Sequence, residues 1–216
     1  MLTGPLPVDD ALAPPRPRLT DGTAVADAAL MTRVACGDPQ AVDPLYRRHR
    51  SIVYRFALLW SGSPATAADV TQDVFIHVMQ HAGDYDALRG ALPAWLLGIA
   101  RNFVRRRTGT PREFSIDAAS DVAGVPEAID AFSPDQALVR QQDLERLRRG
   151  IAALPPHYRD VLVLVELSER SYAEVAAICG CELNTVRSRL FRGRALLARW
   201  LALDAEASPG SRAALG

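Results

Sequence analysis

The chain lacks lysine altogether, and its 25 strongly basic side chains are all arginine. It has no apolar run near the roughly 18 residues that a membrane span needs, which excludes insertion into a membrane. The N-terminus lacks the apolar segment of a secretory signal, so we expect a cytoplasmic protein. Its three cysteines are too few for a disulfide framework. Cys179 and Cys181 form a weak metal signal, and a small buried apolar side chain is the better interpretation of Cys179.

Charge is balanced over the 216 residues but segregated along them. Residues 101–107, RNFVRRR, hold four arginines and no acid, and residues 184–200 hold five arginines and no acid. Residues 108–135 hold six acidic side chains against a single arginine, Arg112. Because an approaching polyanion responds to the local charge, the pattern predicts two basic surfaces for nucleic acid, with an acidic segment between them.

Helical periodicity and start signals predict a first helical domain over residues 27–107, after a proline-rich leader (1–26) that we expect to be disordered. Asp27 is a candidate cap for a short helix that ends at Gly37. Asp38 and Ser63, each followed by proline, are candidate caps for the next two helices. These helices run to about Trp60 and His81, and a fourth spans about Leu92 to Arg107.

Residues 108–133 have no sustained period and are predicted to be a linker. Helical patterns resume at residue 134 and continue to 203, followed by a disordered tail (204–216). The VLVLV run after Pro156 fits a strand by periodicity alone, but helix is favoured because two prolines precede it and its neighbours are helical. The predicted fold class is all-α: two small helical domains joined by a flexible acidic linker.

The second domain carries a helix-turn-helix pattern. Ser171 and Glu174 have the spacing of a capping box, which starts a short helix that Gly180 ends. Asn184 or Thr185 is placed to cap a longer second helix. A short helix, a tight turn and a longer helix form the motif that presents its second helix to the major groove.

At 100° per residue, one stripe of the second helix is apolar, with Val186 and Leu190 within it. Hydroxyl and guanidinium groups gather on the opposite side: Thr185, Ser188, Arg189, Arg192 and Arg199. Arg187 lies at the border of the apolar stripe. Arginine can pair with guanine in bidentate geometry, and an ordinary exposed helix would include glutamates for i,i+4 pairs. The pattern therefore favours DNA contact over a solvated helix end.

These segments resemble a known family. SYAEVAAICGCELNTVRSRLFRGRALL is similar to region 4 of bacterial RNA polymerase sigma factors of the extracytoplasmic-function (ECF) group, within the sigma-70 family. ALMTRVACGDPQAVDPLYRRH, ADVTQDVFIHV and PAWLLGIARNFVRRR resemble successive helices of region 2. The resemblance covers most of residues 27–107 and 134–201. It implies an alternative sigma factor, whose partners are core RNA polymerase (the β′ clamp helices and the β flap), promoter DNA and an anti-sigma factor.

The resemblance also implies roles for individual residues. Those expected on the β′ clamp helices are Asp69, Gln72, Asp73 and Phe75. Those expected at the −10 element are Tyr85, Asp86, Arg101, Asn102, Arg105 and Arg106. Those expected at the −35 element are Thr185, Arg187, Ser188, Arg189 and Arg192. Trp95 and Phe103 are expected in the core, since Phe103 lies on the apolar face.

Two other functions were weighed. Asp69, Asp73, His77 and His81 recur at spacing four, as metal ligands in a helical bundle can, but matching ligands on other helices are lacking, and no cofactor or catalytic residue is predicted. A stand-alone helix-turn-helix regulator that binds an operator without polymerase would explain residues 171–200, but it would leave the first domain without a function.

Overall fold

The structure is a computed structural model that describes residues 21–109 and 135–207, all of whose regular elements are helical. The predicted leader up to residue 20, the acidic linker over 110–134 and the tail from 208 lie outside the described residues. The helices are α1 (Asp21–Ala35), α2 (Val42–Ser61), α3 (Pro64–His81), α4 (Leu92–Arg107), α5 (Asp135–Ala153), α6 (Pro156–Leu162), α7 (Tyr172–Cys179) and α8 (Leu183–Ala207). Below, the first unit is residues 21–109 and the second unit is residues 135–207.

Two predicted helix starts are confirmed by their cap hydrogen bonds. Asp38 accepts a bond from the backbone N–H of Gln40 at 2.9 Å and opens a short 3₁₀ turn, Pro39–Ala41, that leads into α2. Ser63 accepts from the N–H of Thr66 at 3.2 Å at the start of α3. In each case a proline follows the cap, where its missing N–H costs nothing.

The start of α1 was predicted wrongly. The helix begins at Asp21, inside the predicted leader, and Asp27 lies in its interior instead of capping it. Asp27 is 3% exposed, and its carboxylate accepts a hydrogen bond from Arg48 at 2.7 Å, with His49 Nε2 3.0 Å away. A buried carboxylate needs such partners, and both come from α2, a tertiary contact that the local sequence pattern does not reveal.

The core of the first unit is formed where α2, α3 and α4 pack on one another. Phe56 and Trp60 from α2, Val70 and Val74 from α3 and Leu96 from α4 are fully buried there. Trp95 and Phe103 are half-buried and pack against this cluster, as expected for core residues. The apolar faces anticipated from the helical period therefore meet in one interior.

The VLVLV segment is helical, which confirms the choice of helix over strand. Its first residues complete α6, and the chain continues in a π-helical turn, Val163–Leu167. Val161, Leu162, Val163, Leu164 and Val165 are all buried. A run buried on every side carries no periodic signal, which is why the sequence pattern alone could not distinguish the two structures.

The last helix differs from its prediction at both ends. It begins at Leu183, and the N–H of Val186 bonds the carbonyl of Glu182 at 3.1 Å. Asn184 and Thr185 therefore both lie in the first turn, and neither is the cap. It continues to Ala207, into the predicted tail. Asp204 belongs to this extension and pairs with Arg146 Nε of α5 at 2.8 Å.

The two units pack against each other. Contacts run from α2 to α5 and from α4 to α7, which is the first helix of the helix-turn-helix. A Cβ atom at Gly62, which ends α2, would lie 3.8 Å from the Cβ atom of Ala152. The end of α2 therefore lies directly against α5. The candidate DNA-binding residues of α4 therefore lie next to the second unit.

Candidate functional site

An apolar groove of about 620 Å³ runs along the outer face of α2 and α3. Its lining is Val42, Tyr46, Tyr54, Ala68, Thr71, Gln72, Phe75, Ile76 and Met79. We call this the docking groove. Ile76 and Met79 are large apolar side chains that face solvent there, 39% and 47% exposed. Neighbouring exposed apolar side chains are typical of a surface that binds a partner.

The predicted polymerase-binding residues occupy different positions around the docking groove. Gln72 is exposed on its wall, whereas Phe75 is 5% exposed and packs edge-on against the Tyr46 ring, with centroids 4.9 Å apart. Phe75 therefore forms the groove floor and offers little surface of its own. The exposed apolar surface of the groove comes from Ile76 and Met79, which the sequence pattern did not single out.

Asp69 and Asp73 lie beside the docking groove and share one arginine. Arg107, at the end of α4, donates to Asp69 Oδ2 at 2.9 Å and to Asp73 Oδ2 at 2.7 Å. Hydrogen bonding to Asp73 raises the pKa of Arg107 above its ordinary value, and burial opposes this rise. The ion pairs hold both carboxylates on one face of α3. Within the described residues, no three His, Cys, Asp or Glu side chains cluster as metal ligands would.

The loop before α4 is built around Tyr85 and Asp86. The Tyr85 hydroxyl donates to the Gly90 carbonyl at 3.2 Å, and Asp86 accepts from the backbone N–H of Leu88 at 2.9 Å. Burial, followed by the charge of Asp27, raises the pKa of Tyr85, so the phenol stays a neutral donor. The loop is thus ordered from within, while Leu88 at its tip is 97% exposed.

The four predicted −10 residues of α4 divide into two pairs. Asn102 and Arg106 are exposed, as expected of DNA-binding residues. Arg101 and Arg105 instead face the second unit, where both donate to Asp160 Oδ2, at 2.6 Å and 3.1 Å. In this arrangement of the chain, Asn102 and Arg106 are open to solvent, whereas Arg101 and Arg105 are bonded to a carboxylate of the second unit.

On α8 the packing stripe was predicted correctly, since Val186 and Leu190 are buried. Arg187 is exposed, and Thr185, Ser188, Arg189 and Arg192 are half-buried. Arg189 was assigned to the outer side of the helix but lies at the edge of the packing face: its Nε atom is buried, and its charge acts on the nearby Cys179 thiol. Phe191, which sequence reasoning missed, is 56% exposed between the arginines.

Comparison with known proteins fits both halves of the chain. The sigma-70 region 2 model matches residues 45–109, and the sigma-70 region 4 model matches residues 144–197. The chain is 36% identical over 187 residues to the ECF RNA polymerase sigma factor SigE of Mycolicibacterium smegmatis, covering 84% of this chain and 68% of SigE. It is 30% identical over 176 residues to the RNA polymerase sigma-H factor of Pseudomonas aeruginosa, covering 78% of this chain and 90% of that factor.

The chain belongs to the ECF group of sigma-70 family sigma factors. It is an alternative sigma factor, a transcription initiation factor that binds core RNA polymerase and directs initiation at promoter DNA.

Two solved structures share the fold. CnrH, determined in complex with the cytosolic domain of CnrY, has a TM-score of 0.63 at 24% identity, covering 83% of this chain and 99% of CnrH. RpoE of Bartonella quintana, determined with the anti-sigma factor NepR, has a TM-score of 0.53 at 24% identity, covering 75% of this chain and 97% of RpoE. Both confirm the all-α, two-domain fold.

In this sigma factor the region 2 match takes in α2, α3 and α4, and the region 4 match takes in most of α5 to α8. The docking groove and the arginines of α4 thus fall in region 2, and the helix-turn-helix falls in region 4. None of the described helices is long and apolar enough to cross a membrane.

Proposed function

We propose that this sigma factor docks on core polymerase through the docking groove and the carboxylates beside it, contacts the −10 element with α4 and its preceding loop, and reads the −35 element with α8. It acts in the cytoplasm and has no catalytic activity of its own. The observation that carries the proposal is the presence of two arginine-rich helices on two separate units, with an apolar groove on the first.

For core polymerase, Ile76 and Met79 offer apolar surface, and Gln72 offers hydrogen bonds at the groove wall. Asp69 and Asp73 are aligned by Arg107, so a partner with basic side chains would meet two carboxylates on one face. Phe75 acts from beneath, by fixing the shape of the floor. The β′ clamp helices are the proposed occupant of this groove, and the β flap is the proposed contact of the second unit.

At the −10 element, Asn102 and Arg106 are exposed, and the Tyr85–Asp86 loop lies at the N-terminal end of the same helix. Unpaired DNA is bound by positive charge together with surfaces on which bases stack. Arg101 and Arg105 are proposed to join this surface when the two units separate. In that state α4 presents arginine side chains on one continuous stretch.

At the −35 element, Arg187 and Arg192 are proposed to contact base edges and phosphates, with Thr185 and Ser188 as hydroxyl donors. Arg189, at the edge of the packing face, is proposed to contribute a further contact to the −35 element. Residues near the start of a recognition helix are those that enter the major groove. The first backbone N–H groups of a helix have no intrahelical acceptor, so those of α8 are proposed to add a site for phosphate.

An anti-sigma factor is proposed as a further partner. Support comes from the shared fold, because the solved structures of CnrH and RpoE are complexes, the second of them with a protein described as an anti-sigma factor. The stand-alone regulator remains a poorer account, since it gives no use to the region 2 match over residues 45–109.

The experiment is reconstitution. Purified protein and core RNA polymerase are mixed and resolved by size-exclusion chromatography, with the double variant Ile76→Ser/Met79→Ser as the test. Leu203→Ser is the control, since Leu203 is also a large apolar side chain that faces solvent, 57% exposed, but lies near the end of α8 and outside the docking groove. We expect the protein and the control to co-elute with core enzyme and the double variant to elute alone. Failure of the unaltered protein to bind core enzyme would refute the proposal.

A further inference from the structure

Asp160 is the most enclosed charge at the contact between the two units. Its side chain is 1% exposed, and its carboxylate accepts three hydrogen bonds, all from the first unit. Trp60 Nε1 donates to Oδ1 at 2.7 Å, while Arg101 Nε and Arg105 donate to Oδ2 at 2.6 Å and 3.1 Å. A buried carboxylate is tolerated only with such partners, so this one depends on the first unit being in place.

Neighbouring bonds strengthen the same contact. Arg159 donates to the Trp60 carbonyl at 3.2 Å, and its guanidinium lies over the indole ring, 4.4 Å from the centroid. Arg101 also donates to the carbonyl of Ile178 in α7 at 3.4 Å. The contact therefore engages the indole ring, two arginines of α4 and the helix-turn-helix together.

Two of these partners are proposed DNA-binding residues. An arginine whose guanidinium is committed to a buried carboxylate is not available to a phosphate, because both acceptors need the same N–H groups in the same fork geometry. Burial is the largest single effect on the pKa of Arg101 and lowers it, but the charge of Asp160, the hydrogen bond to Asp160 and the two nearby cysteines together raise that pKa above its ordinary value. In the packed arrangement only Asn102 and Arg106 of the four α4 residues remain open.

We propose that Asp160 is an internal latch, which occupies Arg101 and Arg105 in place of DNA phosphates and holds the sigma factor closed until polymerase or promoter DNA separates the two units. The inference rests on the proposed function, because it assigns these arginines to the −10 surface. In the closed form, the surface for the −10 element lacks the charges of Arg101 and Arg105, and the spacing between α4 and α8 is fixed. The open form gains two cations at the −10 surface.

The latch is tested with Asp160→Asn, which removes the charge at nearly constant shape. Binding to a fluorescein-labelled oligothymidine is followed by anisotropy over a series of salt concentrations. Two additional phosphate interactions should make the slope of log K against log salt steeper by about 1.4, at about 0.7 for each phosphate on a single strand. Asp204→Asn is the matched control, because it removes an ion-paired carboxylate inside the second unit. An unchanged slope in folded Asp160→Asn would overturn the latch.

A disulfide between the two units shows whether Asp160→Asn acts by letting the units separate or only by removing a negative charge. Gly62→Cys and Ala152→Cys place two Cβ atoms about 3.8 Å apart, a distance that a disulfide spans, in a background where the exposed Cys36 is serine. Gly62 has φ 70°, so cysteine there is strained, and the reduced protein is the reference for every comparison. Oxidation should cancel the gain of Asp160→Asn, and reduction should restore it. A gain that persists in the oxidised protein would refute the latch.

The latch and the proposed function fail in different ways. If Asp160→Asn does not fold, as judged by circular dichroism, the oxidised and reduced forms of the double-cysteine protein are compared in transcription with core polymerase. We expect transcription only after reduction. Equal activity in both forms would overturn the latch and leave the proposed function standing, whereas a failure of the unaltered sigma factor to bind core enzyme would overturn the function itself.

Discussion

At the scale of single residues, the contact between the units changes the acidity of the Cys179 thiol. Burial, helped by the charge of Asp160 and opposed by Arg101, raises its pKa to about 12. Cys179 and Cys181 both pack against the core cluster. A thiol of this kind stays protonated at neutral pH, and only the thiolate is a good nucleophile or metal ligand.

We therefore predict that iodoacetamide at pH 8 modifies the exposed Cys36 and leaves Cys179 unmodified, with both sites followed by peptide mass spectrometry. Unfolding in guanidinium should make the two sites equally reactive, because burial is the cause of the difference. Labelling of Cys179 in the folded protein at the rate of Cys36 would contradict the raised pKa.

The arginines of α8 give a second prediction at this scale. Replacing Arg187 or Arg192 with alanine should weaken binding to a −35 duplex by about 1–3 kcal/mol for each hydrogen-bonded base pair that the arginine reads, and should relax the preference at one position. Arg199→Ala, an exposed arginine two turns further along α8, is the control and should change affinity much less. Equal reductions in affinity at all three positions would mean that α8 contributes charge without reading bases.

Residue roles were only partly predictable from the sequence. Arg101, Arg105 and Arg106 are the same residue type within six positions, and nothing local separates the two that bond Asp160 from the one that faces solvent. The distinction depends on a partner more than fifty residues away. The family resemblance assigns all three to the −10 element, and that assignment stays a prediction.

At the scale of helices, the capping box at the start of α7 is the clearest local device. The Ser171 hydroxyl accepts from the N–H of Glu174 at 3.3 Å, and the Glu174 carboxylate accepts from the N–H of Ser171 at 2.8 Å. Both bonds connect residues three apart, so the sequence was sufficient to predict them. The left-handed residue Gly180 ends the same helix, φ 64°.

Ser171→Ala should lower the free energy of unfolding by about 1 kcal/mol, the usual effect of losing such a cap, in urea denaturation followed by circular dichroism. Thr32→Ala is the comparison, because the Thr32 hydroxyl bonds the carbonyl four residues back, which stabilises a helix little. If the two variants unfold at the same urea concentration, the capping box contributes nothing to stability.

The docking groove allows folding and binding to be separated. Phe75→Ala should cost about 3–5 kcal/mol of stability, as buried phenylalanines do when truncated. Ile76→Ala should cost about 0.5 kcal/mol or less, as exposed positions do, yet weaken binding to core polymerase. Unfolding curves and core-binding titrations measure the two effects. A large loss of stability for Ile76→Ala would mean that its side chain belongs to the core.

Elements were predictable where their signals are local and not where they are tertiary. The caps at Asp38 and Ser63 and the span of α4 follow from adjacent residues. The start of α1 does not, because Asp27 looks like a cap in sequence and is in fact a buried partner of Arg48 and His49. The docking groove likewise arises only when α2 and α3 pack.

At the scale of the whole molecule, the two arginine-rich helices belong to units that contact each other in the closed arrangement. A promoter reader must place α4 at the −10 element and α8 at the −35 element at the same time. The two helices act together only if core polymerase sets their separation, which is why the isolated helix-turn-helix does not account for the chain.

The measurement that tests this account most directly is run-off transcription with core RNA polymerase from candidate promoters, including the one upstream of its own gene. We predict a transcript that requires the sigma factor and that disappears in Asn102→Ala/Arg106→Ala and in Arg187→Ala/Arg192→Ala, two variants on different units. Arg199→Ala should retain it. Tight binding of the isolated protein to an operator, with no promoter-dependent transcript when core enzyme is added, would contradict the account.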